Sequence, residues 1–132
     1  MPTLNIWTDI TDRSVRSRFS RRVALALGRA GVSMSHTIIC WHEIDIESVF
    51  CGPVAMPPSA EAALGRICFM SIEVDQQRER TWRDKISAAM RESATGVFPL
   101  DRFFFRIIPV DPGDYWNATL SVQRANLEGN PP

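Results

Sequence analysis

The sequence carries one pattern twice: an apolar strand, an amphipathic helix that a glycine ends, and another strand. The two helix-ending glycines, Gly31 and Gly96, lie 65 residues apart. Glycine is favoured there because it readily adopts the left-handed conformation that closes many helices. The repetition predicts an α+β fold built from a tandem β-α-β repeat, with a four-stranded sheet and two helices on one face.

In the first half, strands are predicted at residues 4–10 and 36–46. The helix between them begins at Thr11 or Asp12, since either residue makes a good N-cap. Apolar residues then recur at helical spacing, which indicates one buried helix face. These residues are Val15, Phe19, Val23, Ala26, Leu27 and Ala30. The Gly- and Pro-rich residues 51–63 are predicted as a loop.

In the second half, strands are predicted at residues 66–74 and 102–110, on either side of a helix. The apolar stripe of that helix is Trp82, Ile86, Ala89 and Met90. Both strands carry apolar residues on both faces, which is typical of strands buried on both sides. Two helices cover only one face of the sheet, so we expect a second copy of the chain to bury the other.

Length and composition indicate one domain, residues 2–120, with halves of about 2–52 and 64–120 and a tail at 121–132. The chain has 132 residues, 45% of them hydrophobic, and 15 basic against 15 acidic residues. Zero net charge argues against nucleic-acid or membrane partners. No apolar run approaches the roughly 18 residues of a membrane helix, and no signal-peptide pattern is present. The expected location is the cytoplasm.

Three cysteines, Cys40, Cys51 and Cys68, are widely spaced and form no C-x-x-C pattern. An odd, scattered set argues against a disulfide framework or a zinc site. We therefore expect buried or half-buried thiols in a reducing compartment, and no metal or cofactor.

Pro2 stands at the head of the first strand, and three short stretches extend the pattern. They are SVFCGP (residues 48–53), MSIEV (residues 70–74) and DYWNATL (residues 114–120). With this topology, the chain resembles the tautomerase superfamily over residues 2 to about 120. That superfamily includes 4-oxalocrotonate tautomerase (4-OT), macrophage migration inhibitory factor, malonate semialdehyde decarboxylase and cis-3-chloroacrylic acid dehalogenase.

The resemblance implies a homotrimer whose sheets line an inner barrel, and a cofactor-free enzyme with an amino-terminal proline as its base or acid. Removal of Met1 would leave Pro2 as a secondary amine. Desolvation beside Ile72, Phe104 and Trp116 would lower the pKa of that amine. A base near neutrality moves a proton α to a carbonyl, which is isomerisation. Held protonated, the amine would serve hydration, dehalogenation or decarboxylation.

The resemblance also implies carboxylate binding by arginines just after the third strand, where Arg78 and Arg80 stand. A guanidinium binds a carboxylate through two parallel hydrogen bonds, which suits a small carboxylate or 2-keto acid substrate. The dehalogenase pattern has two arginines three apart, a spacing that Arg80 and Arg83 have, whereas Arg78 and Arg80 are two apart. Which of the three faces the pocket is open.

Asp114 and Tyr115 resemble the Glu-Tyr pair that orients water in the dehalogenase group, and Trp116 follows them as a further substrate contact. Three residues depart from the family patterns. Arg29 stands where the dehalogenase group has a histidine, Phe104 where it has a tyrosine, and Val32 where the cytokine group has a lysine. The substrate and the particular reaction are therefore open.

Two other functions are compatible with the sequence. The first is a non-catalytic oligomeric binding protein on the same scaffold. The second is a nucleic-acid binder that uses the six arginines of the first helix, although such a set is more typical of a solvated helix face. His42 and Glu43 are adjacent on a strand and point to opposite faces, so they are not expected to chelate a metal together.

Overall fold

A computed structural model of the chain describes residues 2–33 and 36–114. The predicted order of strand, helix and strand in each half is confirmed, and a short two-stranded hairpin overlaps the start of the predicted loop. In chain order the elements are β1 (Thr3–Thr8), α1 (Arg13–Arg29), β2 (Ile38–Glu43), β3 (Phe50–Cys51), β4 (Val54–Ala55), β5 (Cys68–Asp75), α2 (Arg80–Ala94) and β6 (Phe103–Val110). Tyr115, Trp116 and the tail at 121–132 lie outside the described residues.

The four long strands form one sheet in the order β2-β1-β5-β6. Each half contributes a parallel pair, β1 with β2 and β5 with β6. The halves meet through β1 and β5, which are antiparallel and pair Thr3 with Glu73 and Thr8 with Cys68. Because these central strands run in opposite directions, β1 begins at the end of the sheet where β5 and β6 terminate. This end of the strands is called the sheet edge below.

Local sequence signals set the ends of both helices. The Asp12 side chain caps α1, and its Oδ1 accepts hydrogen bonds from the backbone N–H groups of Ser14 at 2.8 Å and Val15 at 3.2 Å. Just beyond the helices, Gly31 has φ +91° and Gly96 has φ +81°. Residues other than glycine rarely adopt these backbone conformations. The predicted cap and the two helix-ending glycines are confirmed.

Both helices pack on the same face of the sheet, as predicted. The strands alternate, so that Leu4, Ile6 and Thr8 of β1 point into this core and are fully buried. The core also contains Phe19, Val23 and Leu27 from α1, Ile86 and Met90 from α2, and Met70 and Ile72 from β5. Burial of these side chains is the main stabilising contribution to the fold, and it fixes the sheet register.

Two strand predictions were too long, for local reasons. β2 ends at Glu43, because the Asp45 side chain accepts a hydrogen bond from the Glu47 N–H at 3.0 Å and turns the chain into a short helical turn. β1 ends at Thr8 because the Asp9 carboxylate turns to the chain before β5, where it accepts hydrogen bonds from the Arg66 and Ile67 N–H groups.

The opposite face of the sheet, here called the open face, is packed against neither helix. Its centre carries two aromatic pairs across neighbouring strands. The rings of Trp7 and His42 stack with centroids 4.7 Å apart, and those of Phe69 and Phe104 stack at 5.0 Å. Phe104 is 43% exposed. An aromatic surface of this kind is typical of a contact with another protein.

The cysteine prediction was partly wrong. Cys68 is fully buried in the core, but Cys40 and Cys51 are exposed. Cys40 lies on the open face, at a position of β2 that pairs with Asn5, and Cys51 lies in the β3–β4 hairpin. All three thiols are free.

Candidate functional site

Pro2 lies at the sheet edge where β1 begins. It is half-buried, and its carbonyl accepts a hydrogen bond from the Ile38 N–H at 3.2 Å, which attaches the chain start to β2. Continuing the antiparallel register by one step beyond Thr3 and Glu73 places Pro2 beside Val74. The sheet topology therefore brings the start of the chain to the last residues of β5.

The turn from β5 into α2 lies at this same edge and is held by backbone contacts. The Asp75 side chain accepts from the Gln77 N–H at 2.9 Å, and the Asp75 carbonyl accepts from the Arg78 N–H at 3.1 Å. The Gln76 N–H donates to the Val110 carbonyl at 3.0 Å, so the turn is also attached to the end of β6. These bonds fix where α2 starts relative to the strand ends.

The three arginines of this region have different surroundings. The guanidinium of Arg78 lies over the Trp82 ring, 4.8 Å from its centroid. Arg80 is 78% exposed, and its Nη1 lies 3.9 Å from the Asp84 carboxylate one turn along α2. Arg83 folds back to the strand end, where its Nη2 donates to the Gln76 carbonyl at 2.8 Å. The Nε of Arg83 is buried and has no partner among the described residues.

The start of α2 is electrostatically positive. Its first turn contains no acidic residue, and the N-cap residue Glu79 makes no capping hydrogen bond with its side chain. The dipole of the helix adds to the charge of the arginines around it. A helix start of this kind, with Arg78 and Arg83 beside it, favours the binding of an anion.

Asp114 follows the end of β6, in a short helical turn at Pro112–Asp114. It is exposed, and its N–H donates to the Asp111 carbonyl at 2.8 Å. Because β5 and β6 are parallel and pair Asp75 with Val110, Asp114 belongs to the same sheet edge as Pro2 and the arginines. Its predicted neighbours Tyr115 and Trp116 lie outside the described residues.

Two predicted pocket residues do not reach Pro2 within one chain. Ile72 is fully buried under the helices opposite Leu4, so its side chain offers no surface to a substrate. Phe104 pairs with Phe69 near the other end of the sheet. Val74 lies five positions further along the strand than Phe69, a distance of about 16 Å. Within one chain these two side chains therefore do not form a floor beside Pro2, and the pocket stays a prediction.

The open face has a cavity of its own, about 470 Å³ in volume, which the sequence analysis did not predict. Its walls include Trp7, Phe69 and Phe104, with the polar groups of Ser71 and Arg106 beside them. Arg106 forms no ion pair within residues 2–33 and 36–114. The signal in the sequence was Arg106, the one charged residue within the strand sequence FFFRIIPV.

Within residues 2–33 and 36–114, no group of three or more His, Cys, Asp or Glu side chains is arranged to hold a metal ion. Neither helix of the described chain is long and apolar enough to cross a membrane.

Comparison with known proteins identifies the fold through solved structures. No protein-family model matches the chain, and no curated protein matches it. A fused 4-OT described as an asymmetric trimer superimposes with a TM-score of 0.74 at 14% identity, covering 88% of this chain and 92% of that one. A member of the cis-3-chloroacrylic acid dehalogenase family gives 0.67 at 10% identity over 88% and 80% of the two chains.

A malonate semialdehyde decarboxylase inhibited by 3-bromopropiolate matches over 100% of this chain and 99% of its own, with a TM-score of 0.65 and 19% identity. All three proteins are members of the tautomerase superfamily. This chain therefore has the tautomerase fold, and the resemblance drawn from its sequence is confirmed at the level of the fold.

Proposed function

We propose that the protein is a cofactor-free enzyme of the tautomerase type, in which Pro2 transfers protons on a small carboxylate or 2-keto acid. The observation that carries this proposal is the antiparallel pairing of β1 with β5, which brings the first residues of the chain to the arginine-rich start of α2. An amine and an anion-binding group at one edge are the two parts that proton transfer on a keto acid needs.

Pro2 is the proposed acid and base. Once Met1 is removed, its nitrogen is a secondary amine that accepts a proton from the carbon next to a carbonyl and returns it to another atom of the substrate. Hydration, dehalogenation and decarboxylation need the same amine in its protonated form. For those reactions Asp114 is the proposed group that orients water, as the resemblance implies.

Arg78 and Arg83 are the proposed carboxylate ligands, and Arg80 is the least favoured of the three. Stacking on Trp82 restrains the Arg78 side chain, so less conformational entropy is lost when it binds a substrate. Arg83 is held at the strand end by its bond to Gln76. Arg80 instead lies in solvent beside Asp84.

We further propose that three copies assemble through their open faces. Aromatic side chains that neither helix covers are unfavourable to leave in water, and several fused 4-OT structures are described as trimers. In such an assembly we propose that Phe104 and Arg106 of one copy contribute to the Pro2 site of a neighbour. We place the protein in the cytoplasm, where its three free thiols stay reduced.

The test follows proton exchange directly. A panel of 2-keto acids in D₂O is incubated with the protein, and loss of the α-proton signal is followed by NMR. Intact mass first establishes that Met1 is absent. Pro2→Ala also allows removal of Met1 but replaces the secondary amine with a primary one, and it is expected to slow exchange by about 10² to 10⁴-fold.

Two results would oppose the proposal. Exchange that Pro2→Ala leaves unchanged would exclude the terminal amine as the base, as would an active protein that retains Met1. A stable trimer that exchanges no keto acid in the panel would favour the non-catalytic binding protein instead.

A further inference from the structure

The outer surface of α1 concentrates positive charge. The helix contains six arginines, five of them exposed, and no acidic residue occurs between Asp12 and Glu43. None of these six guanidinium groups forms an ion pair with another described residue. A chain of zero net charge therefore carries one strongly basic surface, and like charges held this close favour an anionic partner.

An apolar groove runs beside these charges. It consists of two adjoining clefts that share Arg22 and Leu25. One, about 420 Å³, lies between α1 and Leu64, and the other, about 600 Å³, lies between α1 and α2. Leu25 is 43% exposed and Leu64 is 64% exposed. The floor of the second cleft is made of small side chains: Ala26, Ala30, Ala88 and Ala89.

The shape and charge of the groove select one kind of occupant. Its lining side chains include five cations, Arg18, Arg21, Arg22, Arg29 and Lys85, and a single acid, Glu92. Nucleic acid satisfies the cations but leaves Leu25 and Leu64 without an apolar partner. A flat membrane surface does not enter a concave groove. An amphipathic helix with acidic flanks satisfies both the charges and the apolar floor.

A second copy of this chain is a poor occupant. α1 of another copy is itself basic, and α2 carries charges of both signs. The groove also lies on the helix side of the sheet, opposite the open face. A trimer formed through the open faces would therefore leave it accessible.

We propose that the groove between α1, α2 and Leu64 binds an acidic amphipathic helix of a partner protein. Apolar side chains of that helix contact Leu25, Leu64 and the alanine floor. Its carboxylates bind the guanidinium groups of Arg18 and Arg21, which have no competing partner in the described chain. This contact is independent of the Pro2 site.

The test is a selection from a phage-displayed library of randomised helical peptides of about 20 residues, a length that supports a stable helix. Binding of the selected peptides is then measured by fluorescence anisotropy. Arg18→Glu/Arg21→Glu reverses two charges of the groove on α1. Arg13→Glu/Arg91→Glu makes the same change in net charge outside the groove, with one substitution on α1 and one on α2. Leu25→Ser removes the apolar contact.

Selected peptides are expected to place Glu or Asp beside Leu or Phe at helical spacing. Their affinity is expected to fall by about tenfold or more in Arg18→Glu/Arg21→Glu and in Leu25→Ser, and to change little in Arg13→Glu/Arg91→Glu. Circular dichroism establishes that each variant is folded.

Four outcomes overturn the proposal. The first is a selection that enriches no acidic helix. The second is an equal loss of affinity in the two charge variants, which would mean that the peptide binds through non-specific electrostatic attraction and not through the groove. The third is tighter binding of a 20-base-pair DNA duplex or of phosphatidylserine vesicles through Arg18 and Arg21. The fourth is self-association that Leu25→Ser abolishes, which would assign the groove to a second copy.

Discussion

The imidazole of His42 lies flat on the indole of Trp7, with ring centroids 4.7 Å apart and planes 14° apart. The same imidazole has its Nε2 2.9 Å from the Asn5 amide oxygen. Trp7 and Asn5 are on β1, and both point to the open face. His42 therefore joins β2 to β1 by a ring stack and a polar contact, and these contacts order this part of the open face within one chain.

Phe104→Lys is expected to prevent assembly while leaving the single chain folded. Phe104 is 43% exposed, so lysine there costs the isolated chain about 1 kcal/mol or less. In a trimer that covers the open face, the new charge would be buried beside Arg106, and this cost opposes association. Sedimentation velocity should show monomers. Leu64→Lys is the control, since Leu64 is exposed on the helix side; a trimer that survives Phe104→Lys contradicts the proposed interface.

Thiol reactivity is expected to report the same assembly. Burial raises the pKa of the Cys68 thiol, and the nearby Asp9 carboxylate raises it further, so very little reactive thiolate forms at neutral pH. Cys51 should react quickly with Ellman's reagent in every folded form. Cys40 should react only when the open face is uncovered, as in Phe104→Lys.

Cys51→Ser is the check on this assignment, because it should leave the assembled protein without a fast thiol. Fast reaction of Cys40 in a stable trimer would show that assembly leaves that part of the open face exposed.

Asp9→Ala is expected to destabilise the fold by about 1–3 kcal/mol. The carboxylate is only 12% exposed and accepts hydrogen bonds from the Arg66 N–H at 2.8 Å and the Ile67 N–H at 3.2 Å, so its loss leaves two donors unpaired. Urea unfolding measures the difference. Arg66→Ala is the matched control and should cost less than about 1 kcal/mol, since its guanidinium is 69% exposed. Equal effects would assign the stabilisation to the ion pair instead.

The same carboxylate should make stability fall in acid. Burial alone would raise the pKa of Asp9, but hydrogen bonds from Arg66 and Ile67 outweigh it and hold the pKa below the ordinary value of 3.8. In the folded state the group therefore binds protons less readily than in the unfolded state. Its contribution is complete above that value and is lost as pH falls through the lower, folded pKa. Asp9→Asn should flatten this part of the stability profile, and an unchanged slope would exclude Asp9 as its source.

Arg78→Met is expected to lower kcat/KM for a carboxylate substrate by about 10- to 100-fold, the range for loss of a charge-assisted hydrogen bond. Methionine keeps the apolar length that covers Trp82 but removes the charge. Arg80→Met is the matched control, two residues away, and should change kcat/KM by less than about threefold because Arg80 lies in solvent beside Asp84. The reverse order of effects would identify Arg80 as the carboxylate ligand.

The helices were predictable because their signals are local. The cap at Asp12 and the glycines at 31 and 96 act within one turn of chain, and the apolar stripes record which side faces the sheet. The end of β2 was not predictable from alternation, since the apolar pattern continues through Ile44 and Ile46. There the side chain of Asp45 decides the conformation, and it competes with the strand through a single hydrogen bond.

The site was only partly predictable, because its parts meet through strand pairing. The β-α-β pattern does not say that β1 and β5 are antiparallel, and a parallel pair would have placed Pro2 at the opposite edge from Arg78. The distance between Phe104 and Pro2 follows from the same register. The role of Arg106 was not predictable for another reason. In a strand with apolar residues on both faces, the sequence does not show which face of the sheet a single charged residue lies on.

The head-to-tail repeat also limits how many reactive centres the protein can have. Both halves form the same strand–helix–strand unit. The first strand of the second half begins at Cys68, in the middle of the chain, where the backbone nitrogen is part of a peptide bond and cannot act as an amine. If Pro2 carries protons as proposed, the second unit has no equivalent terminal nitrogen. A trimer of such chains, with six repeat units, would therefore have at most three proton-carrying terminal amines.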